Sequence, residues 1–349
     1  MNGIPLAVTL LGLLLQEGNE TSESLYRRWQ VERVTEIRFG RINQWTNLYI
    51  SIRLLVDCPR MSAEPHAKLI LFALSHLPDG LADTARVIDT LGNHFKPIQL
   101  HPLLLVLKQV ALIQVIRADD EASGRLRFLS TIRHACQGIN LPQAEKEKVL
   151  NGILSFYFEL LSHSEWDDLI PSELLNIRAI LLNAFEREVI TPSLISASIQ
   201  YTQWSIATGC VSSEIIDRAL EGIESMIPSD IPDPGSQSTH SLTTLKDSYV
   251  SPNWLKAKCF QTRGQLYLHL KNYELAEPSV KHAGRIHEQL GDRERVGEDR
   301  QLLRQAYIGQ KNFRLADRAS HWIFDLDMPE LQSVMYAPSF VPLNWTTVT

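Results

Sequence analysis

Apolar residues recur at helical spacing along most of this chain, and only one stretch has the spacing expected of strands. Between residues 143 and 227 the apolar positions return every three or four residues, which is the period of an amphipathic helix. Four such segments are present, at residues 149–161, 174–185, 194–206 and 215–226. Short breaks that include Pro171 and Pro192 separate them, so we expect antiparallel pairs of helices.

The stretch from residue 62 to residue 136 has a different order of elements. Its pattern predicts helices at 63–77 and 81–94, a third helix from about Pro102, strands at 112–116 and 125–129, and a short helix from Thr131. Three helices followed by a β-hairpin is the plan of a winged-helix subdomain. Further upstream, residues 4–15 and 22–35 favour helices, whereas the spacing at 45–57 is compatible with a helix and with an extended segment.

An internal repeat follows a polar segment in the last third of the chain. The segment from Tyr267 to Glu277 is similar to the segment from Tyr307 to Asp317, with an offset of 40 residues throughout. The first copy has small and aromatic residues at the spacing of a tetratricopeptide (TPR) unit, namely Gly264, Tyr267, Ala276 and Ala283. The second copy has Arg304 in place of the glycine. Such units stack, because one alone leaves its apolar face uncovered.

Composition and charge exclude several classes of protein. The chain has 349 residues, is 44% apolar and carries a net charge of −6, which argues against a general electrostatic attraction to nucleic acid. Its four cysteines form no C-x-x-C pair, so neither a zinc site nor a disulfide framework is predicted. The apolar run at residues 4–15 has no basic residue before it and is too short to span a membrane. We therefore expect a cytoplasmic protein with reduced thiols.

Four segments occur in the order known from one class of signalling proteins. Gly3-Ile4-Pro5-Leu6-Ala7 has the form of a GLPL box, and residues 51–54 with 67–80 have the form of the start of a winged-helix subdomain. Residues 125–133 stand where an MHD box is expected, and TPR-like repeats follow. Together these segments resemble the C-terminal portion of NB-ARC proteins, which are STAND-type nucleotide switches. The resemblance is to the NB-ARC–TPR branch, which is abundant in fungi and bacteria.

The resemblance implies a nucleotide site to which this chain contributes two residues. Pro5 would pack on the adenine of bound ADP, and Ser130 would stand where the family has the histidine that contacts the diphosphate. It also implies that the P-loop half lies on missing upstream sequence, so ADP or ATP belongs to a full-length relative and no cofactor is expected on this chain. The sequence has no G-x-x-x-x-G-K-[ST] segment, which phosphoryl transfer needs to hold phosphate and magnesium. We therefore expect no enzymatic activity.

Other polar residues favour structural roles. The third helix of the winged-helix plan offers only Lys108 and Gln109 to a DNA major groove, so no nucleic-acid partner is expected. His282 and His287 lack the companion ligands of a metal site, and no metal is predicted. The charge run at residues 292–300 has the spacing of ion pairs on a solvated helix face.

The chain is thus expected to be mainly α, with a winged-helix subdomain and a small β-hairpin followed by an α-solenoid of TPR-like repeats. Six regions are predicted: a remnant of the NB-ARC helical subdomain at 1–45, the winged-helix-like subdomain at 46–137, TPR-like helices at 138–228, a linker at 229–250, TPR-like repeats at 251–327 and a tail at 328–349.

The function expected is that of a non-catalytic signalling or scaffold protein, or a fragment of one. Its stacked helices would bind a protein or peptide, because such stacks form extended grooves. Self-association is a second option for the partner, and no membrane partner is expected. The alternative is that the chain is the regulatory half of an NB-ARC ATP/ADP switch.

Overall fold

The computed structural model divides the chain into two compact units, Met1–Gly222 and Ile223–Thr349. It describes residues 11–12, 15, 21–38, 46–116, 124–128, 130–226 and 251–324. The GLPL-like segment at 3–7, the predicted linker at 229–250 and the predicted tail at 328–349 lie outside the described residues. The described part is mainly helical with a small antiparallel sheet, as the apolar pattern predicts. None of the described helices is long and apolar enough to cross a bilayer.

Helices occupy most of the described part of the first unit. They are α1 (Ser22–Arg38), α2 (Thr46–Val56), α3 (Pro59–Ala63), α4 (Ala67–Ser75), α5 (Ala85–His94), α6 (Leu100–Gln109), α7 (Ser130–Gln137), α8 (Gln143–Ser162), α9 (Ile170–Glu186) and α10 (Pro192–Thr208). Helix α11 (Glu214–Met226) continues across the boundary into the second unit. The four helices predicted between residues 143 and 227 are confirmed as α8 to α11. The segment at 45–57, for which two conformations were open, forms α2.

Three short strands form the sheet of the first unit. They are β1 (Leu81–Ala82), β2 (Gln114–Ile116) and β3 (Arg125–Arg127), and they are antiparallel in the order β1-β3-β2. The central strand β3 pairs Leu126 with Leu81 on one side and with Val115 on the other. From α4 to β3 the chain order is therefore helix, strand, helix, helix, strand, strand.

The helix predicted at 81–94 was wrong at its start. Residues 81–82 pair as strand β1, and the backbone N–H of Asp83 donates to the carbonyl of Gly124 at 2.8 Å. Helix α5 begins only after Thr84, whose hydroxyl accepts a hydrogen bond from the backbone of the first turn at 3.3 Å. The partner strand is distant in sequence, so the periodicity of residues 81–94 alone does not reveal the pairing.

Two further predicted boundaries shifted for local reasons. The strand predicted at 112–116 begins at residue 114, because the backbone N–H of Leu112 bonds to the carbonyl of Leu107 at 3.1 Å and so belongs to the end of α6. The helix predicted at 63–77 begins only at Ala67, as α4, because the separate helix α3 ends at Ala63. Pro65 disfavours the helical conformation for the residue before it, and that residue has φ −113° and ψ 93°.

The core of the first unit lies around α4 and α8. Helix α4 contacts α6, α7 and α8, and α8 also contacts α5, α9 and α10. Some of the largest fully buried side chains belong to these two helices, including Tyr157, Phe156, Ile70 and Leu71. Each such side chain stabilises the fold by roughly 1.5–3 kcal/mol relative to an exposed position. Helices α4 and α8 therefore join the part that contains the sheet to the helices that follow it.

The described part of the second unit from residue 251 onward consists of α12 (Pro252–His269), α13 (Tyr273–Leu290), α14 (Arg293–Gly309) and α15 (Phe313–Phe324). Each helix packs on the next, and α12 also contacts α14. The turns that end α12 and α14 have the same geometry. Lys271 and Lys311 have φ of 57° and 59°, and the side chains of Asn272 and Asn312 each accept from a backbone N–H three residues later at 3.4 Å. The repeat in sequence is thus a repeat of structure.

Gly264 lies where α12 crosses α13. A Cβ atom at this position would stand 2.5 Å from Cγ2 of Val280, so the crossing leaves no room for a side chain. Ala276 and Ala283 of α13 are fully buried, as expected for small residues at a close crossing. In the second copy the exposed Arg304 takes the place of Gly264, so the two helix pairs pack differently at this point.

Gly264→Ala is expected to destabilise α12 and α13 by about 1–3 kcal/mol, because the added methyl group forces the helices apart. The matched control is Gly297→Ala in α14, where a Cβ would meet no atom within 4 Å; it is expected to stabilise by roughly 0.5–1 kcal/mol, because alanine favours a helix interior over glycine. The two effects are measured by hydrogen exchange of peptides from 252–290 and 293–309 at increasing urea concentrations. Equal effects at the two glycines would contradict the close crossing.

Candidate functional site

The two residues that the family resemblance assigns to a nucleotide do not form a site within the described residues. Pro5 lies outside them. Ser130 is the first residue of α7, and its side chain also lies outside the described part. Farther along α7, Arg133 donates to the carbonyl of Pro78 at 2.8 Å, and His134 is exposed. The roles of Pro5 and Ser130 therefore stay predictions.

A cleft of about 440 Å³ lies beside α2, α4 and α7. Its lining includes Tyr49, Arg53, Asp57 and Lys68, and the last two form an ion pair. No serine, cysteine or histidine is among the described lining residues, so these residues form no Ser–His or Cys–His pair. The charges of the lining are already paired, and its apolar area is small. We therefore interpret the cleft as a gap in the packing of α2 against α7.

Lys108, the basic residue considered for DNA contact, is held within the first unit. Its ammonium group contacts both carboxylate oxygens of Asp83 at 3.1 Å. This ion pair joins α6 to the segment between β1 and α5, so the lysine serves that contact. Gln109, the other polar residue considered for this contact, is exposed on α6, as is the apolar Leu105. The expectation of no nucleic-acid partner stays a prediction.

A buried polar network centres on the carboxylate of Glu173, which is 1% exposed. Arg125 of β3 donates to one carboxylate oxygen at 2.5 Å. The Tyr157 hydroxyl of α8 and the Asn176 amide of α9 donate to the other oxygen, at 2.9 and 2.6 Å. The network thus connects β3, α8 and α9 through one side chain.

The same network holds the turn at Asp79 and Gly80 before β1. The Asn176 amide donates to the carbonyl of Gly80 at 2.6 Å, and its oxygen accepts from the Asp79 N–H at 2.9 Å. Arg125 donates to the Asp79 carbonyl at 3.1 Å. Gly80 has φ +73°, and a Cβ there would lie 2.1 Å from the carbonyl oxygen of Leu126, so only glycine fits. The side chains of α9 therefore fix the approach of the chain to the sheet.

Burial raises the pKa of Glu173, although Arg125 and the Asn176 amide favour its ionised form. Burial and the neighbouring Glu173 carboxyl also raise the pKa of Tyr157. Because the folded protein holds the Glu173 proton more tightly than the unfolded chain does, the contribution of this group to stability is full below its ordinary pKa of 4.5. That contribution declines as the pH rises above 4.5 toward the raised value. The network is buried away from solvent, so we interpret its role as connecting β3, α8 and α9.

A second buried polar network crosses three helices of the second unit. The His287 ring of α13 contacts Asp299 of α14 through Nδ1 at 2.6 Å, and Gln261 of α12 donates to the same carboxylate at 2.9 Å. Gln261 also donates to Glu298 at 3.1 Å. The prediction that the whole run at 292–300 is a solvated face was wrong at Asp299, which is buried. A partner 12 residues away, on another helix, makes its burial favourable.

Three of the four cysteines, all of them described residues, have buried thiols. Cys58, Cys136 and Cys259 are buried, Cys210 is exposed, and none of the four forms a disulfide. Burial raises the pKa of Cys136 to about 12, so its reactive thiolate is scarce at neutral pH. Within the same residues, no group of three or more histidine, cysteine, aspartate or glutamate side chains is placed to hold a metal ion.

A glutamine and an aliphatic residue three positions later recur on α12 and α14. The 40-residue offset places Gln305 in the position of Gln265, and Ile308 in the position of Leu268. On α14 both residues of the stripe are exposed, whereas on α12 both are half-buried. We call Gln265, Leu268, Gln305 and Ile308 the glutamine–aliphatic stripe. The duplicated glutamines are visible in the sequence at the same offset, but the prediction of the repeat rested only on its aromatic and small positions.

Comparisons with known proteins gave no relative. No protein-family model matches the chain, and neither a curated protein nor a solved structure matches it. The functional proposal therefore depends on the residues of this chain.

Removal of the Glu173 carboxylate is expected to destabilise the protein, because the charge of Arg125 then stays buried without its main counter-ion. Glu173→Leu should lower the stability of α9 by about 3–5 kcal/mol, because it leaves Arg125 buried without its main partner. The double variant Arg125→Met/Glu173→Leu should lose much less, since it buries no charge at this position. Native-state hydrogen exchange of the 170–186 peptide measures both. A double variant as unstable as the single one would show that packing, and not the ion pair, holds α9.

Proposed function

We propose that this chain is a non-catalytic signalling or scaffold protein, or a fragment of one, that binds a protein or peptide through TPR-like helical repeats. The observation that carries the proposal is the duplicated helix–turn–helix unit of α12 to α15, with the same lysine and asparagine geometry in both turns. Repeats of this kind stack into extended surfaces, whose usual role is recognition of another chain.

The glutamine–aliphatic stripe is the surface that we assign to the partner. Amide side chains both donate and accept hydrogen bonds, so Gln265 and Gln305 suit the backbone of a bound peptide. Leu268 and Ile308 follow three residues later in each copy and offer apolar contact beside each amide. The stripe carries no charge, so the partner that fits it best is an uncharged, partly apolar peptide or helix.

The region at 46–137 is proposed to be a winged-helix subdomain. The order helix, strand, helix, helix, strand, strand and the sheet order β1-β3-β2 support this assignment. The engagement of Lys108 by Asp83 supports a role in packing. In this proposal the Glu173 network transmits the position of the sheet to α8 and α9.

The alternative function is the regulatory half of an NB-ARC ATP/ADP switch, whose P-loop half lies on upstream sequence or on another chain. The element order from α4 to β3 favours it. In this alternative Pro5 and Ser130 border the nucleotide, and no catalysis resides on the present residues.

The nucleotide alternative predicts an effect of Pro5→Ala. In a polypeptide that also contains the P-loop half, this change should weaken ADP binding about tenfold through loss of packing on the adenine. Ser130→His, which introduces the histidine that the family has at this position, should tighten binding. Isothermal titration calorimetry with ADP checks both. Unchanged affinities would count against the alternative and leave the scaffold proposal in place.

The scaffold proposal predicts that the glutamine–aliphatic stripe controls partner binding. Gln305→Ala/Ile308→Ser should weaken binding at least about 30-fold, because residues at the centre of an interface carry most of its free energy. The measurement is quantitative mass spectrometry of proteins retained from a native extract by the immobilised chain.

The matched control is Leu275→Ser, which changes an exposed leucine on α13. Proteins retained by the wild type and by this control, but lost from the stripe variant, would be the expected partners. If the stripe variant and the control retain the same proteins in the same amounts, the proposed surface is contradicted.

A further inference from the structure

Three basic side chains lie where α8 packs against α4 and α9. His76 directly follows the last residue of α4, Lys146 belongs to the first turn of α8, and Arg187 directly follows the last residue of α9. Helix α8 contacts both other helices. All three side chains are half-buried, so they are partly removed from water and still reachable from it.

Aromatic and amide contacts position the three groups around the start of α8. The ring of Phe72 in α4 lies 4.6 Å from the His76 ring, measured between centroids, and the Lys146 ammonium nitrogen lies 5.7 Å from the same phenyl centroid. Arg187 donates through Nη2 to the Asn151 side-chain oxygen at 3.2 Å. Asn151 follows Lys146 by five residues, which is a rise of about 7.5 Å along α8. One side of the first turns of α8 is therefore lined by basic groups.

The positive charge of this basic cluster, His76, Lys146 and Arg187, is poorly compensated. None of the three forms an ion pair with a residue of the described ranges, and their contacts with Phe72 and Asn151 are contacts with neutral groups. The Nε atom of Arg187 is buried and has no hydrogen-bond partner among the same residues. A buried donor without an acceptor is costly, so the cluster favours a ligand that supplies one.

The pKa values of the cluster agree with this charge imbalance. Burial lowers the pKa of His76, and the charges of Arg187 and Lys146 lower it further, although the Phe72 carbonyl favours the protonated ring. Burial also lowers the pKa of Arg187, and Glu147 partly opposes that change. Glu147 itself accepts a hydrogen bond from Gln143 at 3.0 Å. An added negative charge would therefore stabilise the cluster.

The donors of the cluster suit a phosphate group better than a carboxylate. Arg187 and Lys146 together carry two positive charges at neutral pH, which match a phosphate dianion. A guanidinium, an ammonium and an imidazole approach from three helices, and phosphate offers oxygens in several directions, whereas a carboxylate has two oxygens in one plane. The His76 Nδ1 atom already contacts the Phe72 carbonyl at 3.0 Å, which leaves Nε2 for the ligand.

We propose that His76, Lys146 and Arg187 bind a phosphate group, either as the free anion or as the terminal phosphate of a small metabolite. Arg187 donates to it through Nε, Lys146 through its ammonium group and protonated His76 through Nε2. The bound group connects the end of α4 with α8 and the end of α9. The site lies in the first unit and shares no residue with the glutamine–aliphatic stripe, so the inference does not depend on the proposed function.

The first test is isothermal titration calorimetry of the full chain with inorganic phosphate at pH 7 in a phosphate-free buffer. Saturable binding is expected, and Arg187→Gln should weaken it at least about tenfold, because a charge-assisted hydrogen bond is lost. The matched control is Arg178→Gln on α9, which removes the same charge from an arginine already paired with Glu214. It should leave the affinity nearly unchanged. Absence of binding, or equal weakening by the two variants, would overturn the proposal.

A second pair of variants on α8 guards against a folding defect of Arg187→Gln. Lys146→Gln should weaken phosphate binding, whereas Lys148→Gln, at an exposed lysine of the same helix, should not. Equal affinities of these two variants would count against the site. The same titrations with glycerol 3-phosphate distinguish the sources of the group. Tighter binding of the ester supports the proposal with a metabolite as the ligand, and tighter binding of inorganic phosphate supports it with the free anion.

Nuclear magnetic resonance of the histidine rings gives a readout in the unaltered chain. The His76 signal is assigned by its loss in His76→Gln and is followed during a phosphate titration. It should move saturably, and the pKa of His76 should rise, because a bound anion favours the protonated ring. The exposed His163, whose Nδ1 contacts the Glu159 carbonyl at 2.9 Å, is the control and should not respond. A His76 signal that responds no more than that of His163 would contradict the site.

Discussion

The first unit depends on one buried carboxylate. Glu173 accepts hydrogen bonds from β3, from α8 and from its own helix α9, and these elements are separated in sequence. Burying an ion pair costs several kcal/mol of desolvation, so the network adds little net stability. We interpret its role as specificity, because one placement of α9 against the sheet satisfies Arg125, Tyr157 and Asn176 together. A shifted helix would leave buried donors without acceptors.

The second unit is organised by repetition, and its two copies differ because only one of them is covered by the other. Gln261 of the first copy is buried and contacts Asp299 of the next helix pair, while the equivalent Gln301 of the second copy is exposed. The half-buried Tyr273 and the exposed Phe313 show the same difference. The described helices of the array thus have a direction, because only the first copy is covered by another one.

Local periodicity predicted much of this fold. The helices α8 to α11 and the repeated turn followed from residues that lie close together in sequence. The strand β1 did not, because its conformation comes from pairing with β3 across two helices. The candidate sites were harder still. The sequence around Glu173 in helix α9 gives no sign that Arg125, 48 residues earlier, neutralises it. Asp299 has the spacing of a solvated charge run, and only the structure shows that His287 packs against it.

The left-handed lysines in the two turns have a consequence for evolution and engineering. This backbone conformation costs a residue with a side chain about 1 kcal/mol of strain that glycine does not have. The chain carries such a residue at both Lys271 and Lys311, so it has kept the same suboptimal choice in both copies. Natural proteins keep such unfavourable residues, because selection removes only variants that are less stable than function requires. Glycine at positions 271 and 311 would therefore stabilise the two turns without altering the helices. A designer could use that added stability to lengthen the array.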